Sequence, residues 1–176
     1  MQRIDLMDIL RRTVSDDYGD LVTRRTGQAV RQAIEQELAE DADGQPAAID
    51  FGTVRLLDLS CADEIVGRLL REQGGERPFV LLNVTESQRD AIAFVLERYR
   101  LAVVVQEAGG ELNVVGEVPE DARRVFGVLV EAGMADPETI AQRLDLSPEA
   151  ARDALESLRE RRLVVASAGT YRAPVV

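Results

Sequence analysis

Few side chains in this sequence could perform catalysis. The chain has one cysteine, Cys61, and no histidine, so the commonest general base and the commonest metal ligand are both missing. A thiolate at Cys61 would lie near Asp63 and Glu64, whose negative charges raise the pKa of a thiol. We therefore expect Cys61 to be a buried or half-buried small residue, and we expect no enzyme activity and no metal site.

Ser60 is the next candidate, because it comes just before a predicted helix over residues 61–73. Its hydroxyl could accept a hydrogen bond from the first turn, and Asp63 three residues later completes a pair resembling a capping box. Thr85 and Gln88 have the same spacing before another predicted helix. Capping is therefore one interpretation of Ser60.

Phosphate-binding loops are not indicated. The pairs Gly74-Gly75 and Gly109-Gly110 lack a flanking lysine and the passage from strand to helix that a nucleotide loop needs. Both pairs predict turns, and we expect no cofactor.

The elements that must position these residues alternate between strand and helix in the first two thirds of the chain. The strands have no polar side, which predicts an α/β fold with a mixed, partly parallel sheet covered by helices, over residues 1–117. The predicted order is a strand over 3–10, a helix from about Asp20, a strand over 47–51, the helix over 61–73, a strand over 79–84, a helix around 92–99 and a hairpin of 101–106 with 111–116.

The pattern changes to three helices and a short β-ribbon over residues 118–176. Asp136-Pro137 and Ser147-Pro148 each combine an N-cap residue with proline at the first helical position, so each predicts a helix start. Segments 163–167 and 170–173 then predict a brief hairpin. These elements indicate a second, small domain.

Both predicted domains resemble known families. Residues 139–164 resemble the bacterial winged helix-turn-helix in the Ile-Ala-x-x-Leu helix, the Leu-Ser turn, the x-x-Leu-x-x-Leu helix and the closing Leu-Val. The first domain resembles the STAS-like domains, relatives of anti-sigma factor antagonists, in its Ile49-Asp50-Phe51 strand and its Ser-x-Ala-Asp-Glu helix start at Ser60.

The STAS-like resemblance implies a switchable module that binds regulatory proteins, commonly kinase-like ATPases. In phosphorylated antagonists the switch serine lies at the start of this helix, where an added negative charge is favoured. The resemblance thus implies a second interpretation of Ser60, next to Asp58, as a site of phosphorylation.

The charges on and around the last predicted helix indicate whether residues 118–176 bind DNA or protein. Residues 119–176 carry 10 acidic side chains against 8 arginines, far from the basic footprint of a DNA-binding domain. The outward face is acidic, at Glu149, Asp153, Glu156 and Glu160, whereas the arginines that could reach phosphates are Arg152, Arg159, Arg161, Arg162 and Arg172.

We therefore expect a non-enzymatic bacterial regulatory protein that acts by protein contact, including contact with a basic partner or a second copy through the acidic face. The alternative is a DNA-binding transcriptional regulator that uses the arginines, and a third is an enzyme fragment active only in a complex. The net charge of -11 discourages non-specific DNA binding. Charges at Arg3, Asp5 and Asp8 argue against an export signal, and no apolar run reaches membrane-span length, so we expect a cytoplasmic protein.

Overall fold

The computed structural model describes residues 1–14, 19–40, 45–73, 75 and 77–174, and it is built around a five-stranded sheet. The strands of the chain are β1 (Gln2–Asp5), β2 (Asp20–Leu21), β3 (Ala47–Asp50), β4 (Leu56–Leu57), β5 (Phe79–Val84), β6 (Ala102–Glu107), β7 (Leu112–Gly116), β8 (Val165–Ser167) and β9 (Thr170–Arg172). The main sheet has the order β1-β3-β5-β6-β7, in which β7 alone is antiparallel to its neighbour. The expected α/β fold with a mixed sheet is confirmed.

Helices connect these strands and follow them. They are α1 (Leu6–Thr13), α2 (Arg24–Glu40), α3 (Leu59–Ala62), a π-helical segment (Asp63–Arg68), α4 (Leu69–Gln73), α5 (Glu86–Tyr99), α6 (Glu120–Ala132), α7 (Pro137–Leu144) and α8 (Pro148–Glu160). None of these helices combines the length and the apolar character needed to cross a bilayer.

The connecting helices α1 to α5 share a core with one face of the sheet. The parallel strands advance in one direction, and parallel crossovers are almost always right-handed, so successive connections place their helices on the same face. Phe79 and Leu81 of β5 point into this core, together with Ile34 of α2 and Ile65 of the π-helical segment. The parallel strands and their connections thus leave the other face for a different cover.

The C-terminal helices provide that cover. Val80 and Leu82, which alternate with the residues of the first core, belong to a second core that includes Phe126 of α6 and Leu155 of α8. Burial on both faces explains why β5 is apolar from Phe79 to Leu82. Residues before and after position 117 therefore pack together in this second hydrophobic core.

The C-terminal region consists of α6, α7, α8 and the β8–β9 hairpin. Asp136 and Ser147 cap α7 and α8 as the sequence predicts, each followed by proline in the first turn. A single β-bridge joins Ala135, between α6 and α7, to Tyr171 of the hairpin. The order is thus helix, bridge, helix, helix, hairpin.

The prediction of a strand over 3–10 was wrong beyond Asp5. The Asp5 carboxylate accepts a hydrogen bond from the Met7 backbone N–H at 2.8 Å and caps α1, so Ile9 and Leu10 are buried on a helix. The helix expected from about Asp20 begins at Arg24 instead. The loop expected at Asp16 and Asp17 lies outside the described residues.

The helix predicted over 61–73 begins at Leu59 and is π-helical in its middle. A Cβ added at Gly67 would lie 2.6 Å from side-chain atoms of Tyr99 and Val95, so only glycine lets α5 pack this closely. The spacing of apolar residues does not reveal this widened turn, because α- and π-helical turns place much the same residues inward. π-Helical turns occur frequently at functional sites, which draws attention to this segment.

Candidate functional site

The start of α3 is capped by Asp58, not by Ser60. One carboxylate oxygen of Asp58 accepts hydrogen bonds from the Cys61 backbone N–H at 2.7 Å and from the Ser60 hydroxyl at 2.8 Å, and the other accepts from the Thr23 backbone N–H at 3.0 Å. The capping interpretation of Ser60 with Asp63 was therefore wrong. The Ser60 hydroxyl bonds to the Asp58 carboxylate instead of accepting a hydrogen bond from a backbone N–H.

Asp58 also determines what a modification of Ser60 would meet. Burial raises the pKa of Asp58, but the hydrogen bonds from Cys61 and Thr23 lower it more, so the net pKa lies below its ordinary value. A phosphate on Ser60 would stand beside this carboxylate and would break the bond between them. Phosphorylation of Ser60 stays a prediction, and Asp58 opposes it.

Cys61 is buried and unsuited to nucleophilic chemistry. Its side chain has no exposed surface, and its thiol donates a hydrogen bond to the Thr23 carbonyl oxygen at 3.0 Å. Burial, followed by the charge of Asp58, raises the pKa of Cys61 to about 12. The sequence attributed a raised pKa to Asp63 and Glu64, but those two carboxylates serve a different cluster.

Asp63 and Glu64 form the centre of a buried ion-pair network with three arginines. Arg24 of α2 donates to both carboxylates at 2.7 Å, and Arg31, about two turns further along the same face of α2, lies 3.3 Å from Glu64. The third is Arg68, 3.5 Å from Glu64. The network ties α2 to the π-helical segment, and each buried carboxylate has at least two arginine neighbours.

Asp63 is held in the charged form by this network. Burial raises its pKa, but hydrogen bonds from Arg24 and from the Tyr99 hydroxyl, at 2.8 Å, lower it more, and the net pKa lies below its ordinary value. Because two neighbours donate to it and a third charge lies close, Asp63 has no free proton-transfer role. The network is therefore structural.

The polar residues at the carboxyl ends of β3 and β5 are also satisfied within the chain. Asp50 accepts from Asn83 at 2.8 Å and from the Gly52 backbone N–H at 2.9 Å, and it forms an ion pair with Arg3. Burial raises the pKa of Asp50, but these donors lower it more. This is the edge where α/β proteins most often bind ligands, yet its carboxylate already has three partners.

Beside Ser60 lies a surface that we call the α3–α5 surface, made by Leu59, Ser60 and Phe94. Leu59 is 50% exposed and Phe94 61% exposed, and both line a pocket of about 270 Å³ together with Ser60. Arg24 and Arg98 border the pocket. An apolar surface with a charged rim is the usual composition of a protein-binding site.

The outer face of α8 is acidic, as the sequence predicts, and its arginines are paired. Glu149, Asp153 and Glu160 are exposed. Arg159 binds Glu156 through two guanidinium nitrogens, and Arg152 lies 3.4 Å from Glu138 of α7. A phosphate would have to compete with these carboxylates for Arg152 and Arg159.

The five candidate DNA-binding arginines have different surroundings, although Arg159 and Arg162 line one shallow pocket together. Arg162 turns toward the first half of the chain, where it donates to the Gly75 carbonyl oxygen at 3.0 Å. Arg161 follows α8 and lines a cleft that also contains Gly75, and Arg172 ends β9. Of the five arginines, Arg152 and Arg159 are the two that lie within α8, and both side chains are exposed.

Sequence reasoning missed Leu59 and Phe94, although a signal existed for one of them. The apolar face of α5 is marked by Ile92, Val95 and Leu96, and Phe94 lies off this face, so an outward aromatic side chain was foreseeable. Leu59 carries no such signal, because the start of α3 was placed two residues late. Its exposure follows from the Asp58 cap.

Known proteins and metal chemistry supply no further guide to this site. No protein-family model matches the chain, and no curated protein matches it. Among the described residues, no group of three or more cysteine, aspartate and glutamate side chains is arranged to hold a metal ion. The function must be argued from the surfaces themselves.

Proposed function

We propose that this protein is a non-enzymatic regulatory protein that binds a partner protein through the α3–α5 surface. Its first part is a STAS-like domain and its second a winged helix-turn-helix. The observation that carries the proposal is the pair of exposed apolar side chains, Leu59 and Phe94, which line one pocket together with Ser60.

The domain assignments have support from the order of elements. Ser60 lies at the start of a helix that follows the Ile-Asp-Phe strand, as the STAS-like resemblance implies. The C-terminal order of helix, bridge, helix, helix and hairpin is the order of a winged helix. The core that the two parts share would let a partner bound to one part influence the other.

The chemistry of the pocket favours a particular kind of partner. Leu59 and Phe94 offer apolar contact, and a pocket of about 270 Å³ has room for a large side chain of a partner. Arg98 on the rim favours an acidic group beside that side chain, whereas Arg24, which also lines the pocket, already donates to Asp63 and Glu64. A regulatory protein that presents an apolar anchor flanked by carboxylates fits, and kinase-like ATPases are the class that the resemblance suggests.

The outer face of α8 supports protein contact over DNA contact. Its exposed carboxylates would meet the phosphates of a major groove, while Arg152 and Arg159 are engaged by Glu138 and Glu156. We propose that this face binds a basic partner or a second copy of the chain. Replacing Glu149 by arginine would then weaken that contact.

Site-specific photo-crosslinking in the cells that make the protein tests the proposal. p-Benzoylphenylalanine would replace Phe94 in one variant and Met134 in a matched control, because Met134 is 57% exposed but lies outside the α3–α5 surface. We expect a discrete partner to be captured at position 94 and not at position 134. Capture of the same proteins at both positions would contradict the proposal.

Titration with DNA separates the alternative function. The purified chain would be mixed with random-sequence duplex DNA and with its own promoter at about 50 and 200 mM salt, between which a phosphate-contacting protein weakens steeply. We expect no salt-dependent binding. Specific binding that falls with salt and is lost in Arg152→Gln would establish a transcriptional regulator instead.

A further inference from the structure

A cleft between the sheet and the end of α8 has no part in the proposed function. Its volume is about 310 Å³, at the lower end of the range for small-molecule sites. Its lining comes from α4, the approach to β5, the end of α5, the start of β6 and the end of α8, and its apolar walls include Leu70, Phe79 and Leu163.

The charge of this cleft is opposite to that of the protein. Its lining includes Arg71, Arg100, Arg161 and Arg162 and, among the described residues, a single carboxylate, Glu160. A fifth lining arginine, Arg77, is buried, and its guanidinium donates to the Leu38 carbonyl oxygen at 3.3 Å. The whole chain has 32 acidic residues against 21 arginines. Glu76, between two lining residues, lies outside the described residues. Among the described residues that line this cleft, arginines therefore outnumber carboxylates, although the protein as a whole is acidic.

The arginines of the cleft differ in how far the chain compensates them. Arg71 lies 3.6 Å from Glu72, and Arg100 lies 3.4 Å from Glu117; both are exposed pairs, which hold an arginine only weakly. No carboxylate of the described residues lies within ion-pair distance of Arg161. Arg162 likewise lacks one, and its guanidinium donates to the Gly75 carbonyl oxygen.

We infer that this cleft binds a small molecule carrying a diphosphate or longer phosphate chain. Guanidinium groups bind phosphate through paired N–H donors, and several arginines within one cleft exceed what one carboxylate ligand could neutralise. Each phosphate group brings more charge and more acceptor oxygens than a carboxylate. The apolar walls formed by Leu70, Phe79 and Leu163 leave room for an organic group beside the phosphates.

A ligand in this cleft would contact both parts of the molecule. Arg71 and Arg100 belong to the sheet and its connecting helices, whereas Arg161 and Arg162 belong to the end of α8. A phosphate chain bound by both pairs would bridge the two parts of the molecule. Binding would raise the unfolding temperature, because a ligand that binds only the folded state stabilises it.

Calorimetry and thermal unfolding with defined anions test the inference. The probes are inorganic phosphate, inorganic pyrophosphate and ADP, each titrated into the purified chain. We expect pyrophosphate and ADP to bind and to raise the unfolding temperature. Tighter binding of ADP would show that the organic group is recognised, and equal affinity would show that the phosphate chain alone is.

Two variants of equal charge locate the site. Arg161→Gln removes a cleft arginine, whereas Arg152→Gln removes one on the outer face of the same helix. We expect Arg161→Gln to weaken pyrophosphate binding about tenfold, the loss of one charge-assisted hydrogen bond, and Arg152→Gln to leave it unchanged. Equal weakening by both variants would reveal general attraction of anions and overturn the inference.

Two other outcomes would also overturn it. One is the lack of any binding or thermal shift with pyrophosphate and ADP at millimolar concentration. The other is binding of duplex DNA that is lost in Arg161→Gln while pyrophosphate has no effect, which would make the cleft a contact for nucleic acid.

Discussion

The molecule contains two clusters of arginine that differ in what surrounds them. Arg24, Arg31 and Arg68 converge on Asp63 and Glu64, and Glu64 is completely buried. The cleft at the end of α8 instead contains Arg161 and Arg162, which have no carboxylate of the described residues within ion-pair distance, and Arg71 and Arg100, whose ion pairs are exposed. Arginines paired with buried carboxylates hold the fold, whereas arginines with exposed ion pairs or none are available to a ligand.

Glu64→Ala should produce the largest loss of stability, because it removes the completely buried carboxylate that Arg24, Arg31 and Arg68 share. We expect the free energy of unfolding to fall by about 3 kcal/mol, the usual cost of breaking a buried ion pair from one side. Urea unfolding followed by circular dichroism measures this. The control Glu97→Ala, on the exposed face of α5, should change stability by less than about 0.5 kcal/mol. Equal effects would mean that the buried network does not hold the fold.

Gly67→Ala should cause the next largest loss of stability. The π-helical segment carries the ion-pair network, and it can pack this closely against α5 only with glycine at position 67. The added Cβ would lie 2.6 Å from Tyr99 and Val95, and we expect a loss of about 1–3 kcal/mol. Gly127 of α6 is a matched control, since its Cβ would meet nothing within 4 Å. Gly127→Ala should stabilise the protein by up to about 1 kcal/mol, and a loss at both positions would refute the packing argument.

Acid should lower the free energy of unfolding that the Asp63–Glu64 network contributes, and by less than either of these substitutions. The pKa of Asp63 in the folded state lies below its ordinary value of 3.8, so its contribution is present above that value and is lost as pH falls through the lower, folded-state pKa. Unfolding measured between about pH 6 and pH 2.5 should show this decline. Asp63→Asn should flatten the curve. A curve of unchanged slope would assign the decline to other carboxylates.

Arg161→Gln should have the smallest effect on the ligand-free protein. The side chain has no ion-pair partner among the described residues, so removing its charge should change the free energy of unfolding by less than about 0.5 kcal/mol. The measurement is urea unfolding in a buffer without phosphate. A loss comparable to that of Glu64→Ala would abolish the distinction between the two clusters.

Much of the fold was predictable because its signals are local. Alternating apolar runs, the caps at Asp136 and Ser147, and the capping box of Thr85 with Gln88 all lie within a few residues and are present as expected. The sequence predicts a first strand that is too long, because an aspartate such as Asp5 can be a polar residue within a strand and can also cap a helix. Local patterns cannot choose between those roles.

The candidate sites were less predictable because they depend on distant residues. Arg71 and Arg161 are 90 positions apart in the sequence, and the packing of α8 on the second face of the sheet brings them into one cleft. The Asp58 cap similarly depends on Thr23, which is 35 residues away. Sequence spacing carries no information about such contacts.

Binding of a partner protein by the α3–α5 surface predicts how the affinity of the crosslinked partner changes in defined variants of that surface. Isothermal titration would compare the unchanged chain with Phe94→Ser and with Met134→Ser, two exposed apolar side chains of similar accessibility. We predict that Phe94→Ser weakens binding at least about tenfold, as expected for a central anchor, and that Met134→Ser has no effect. Unchanged affinity in Phe94→Ser would contradict the account and place the partner elsewhere on the molecule.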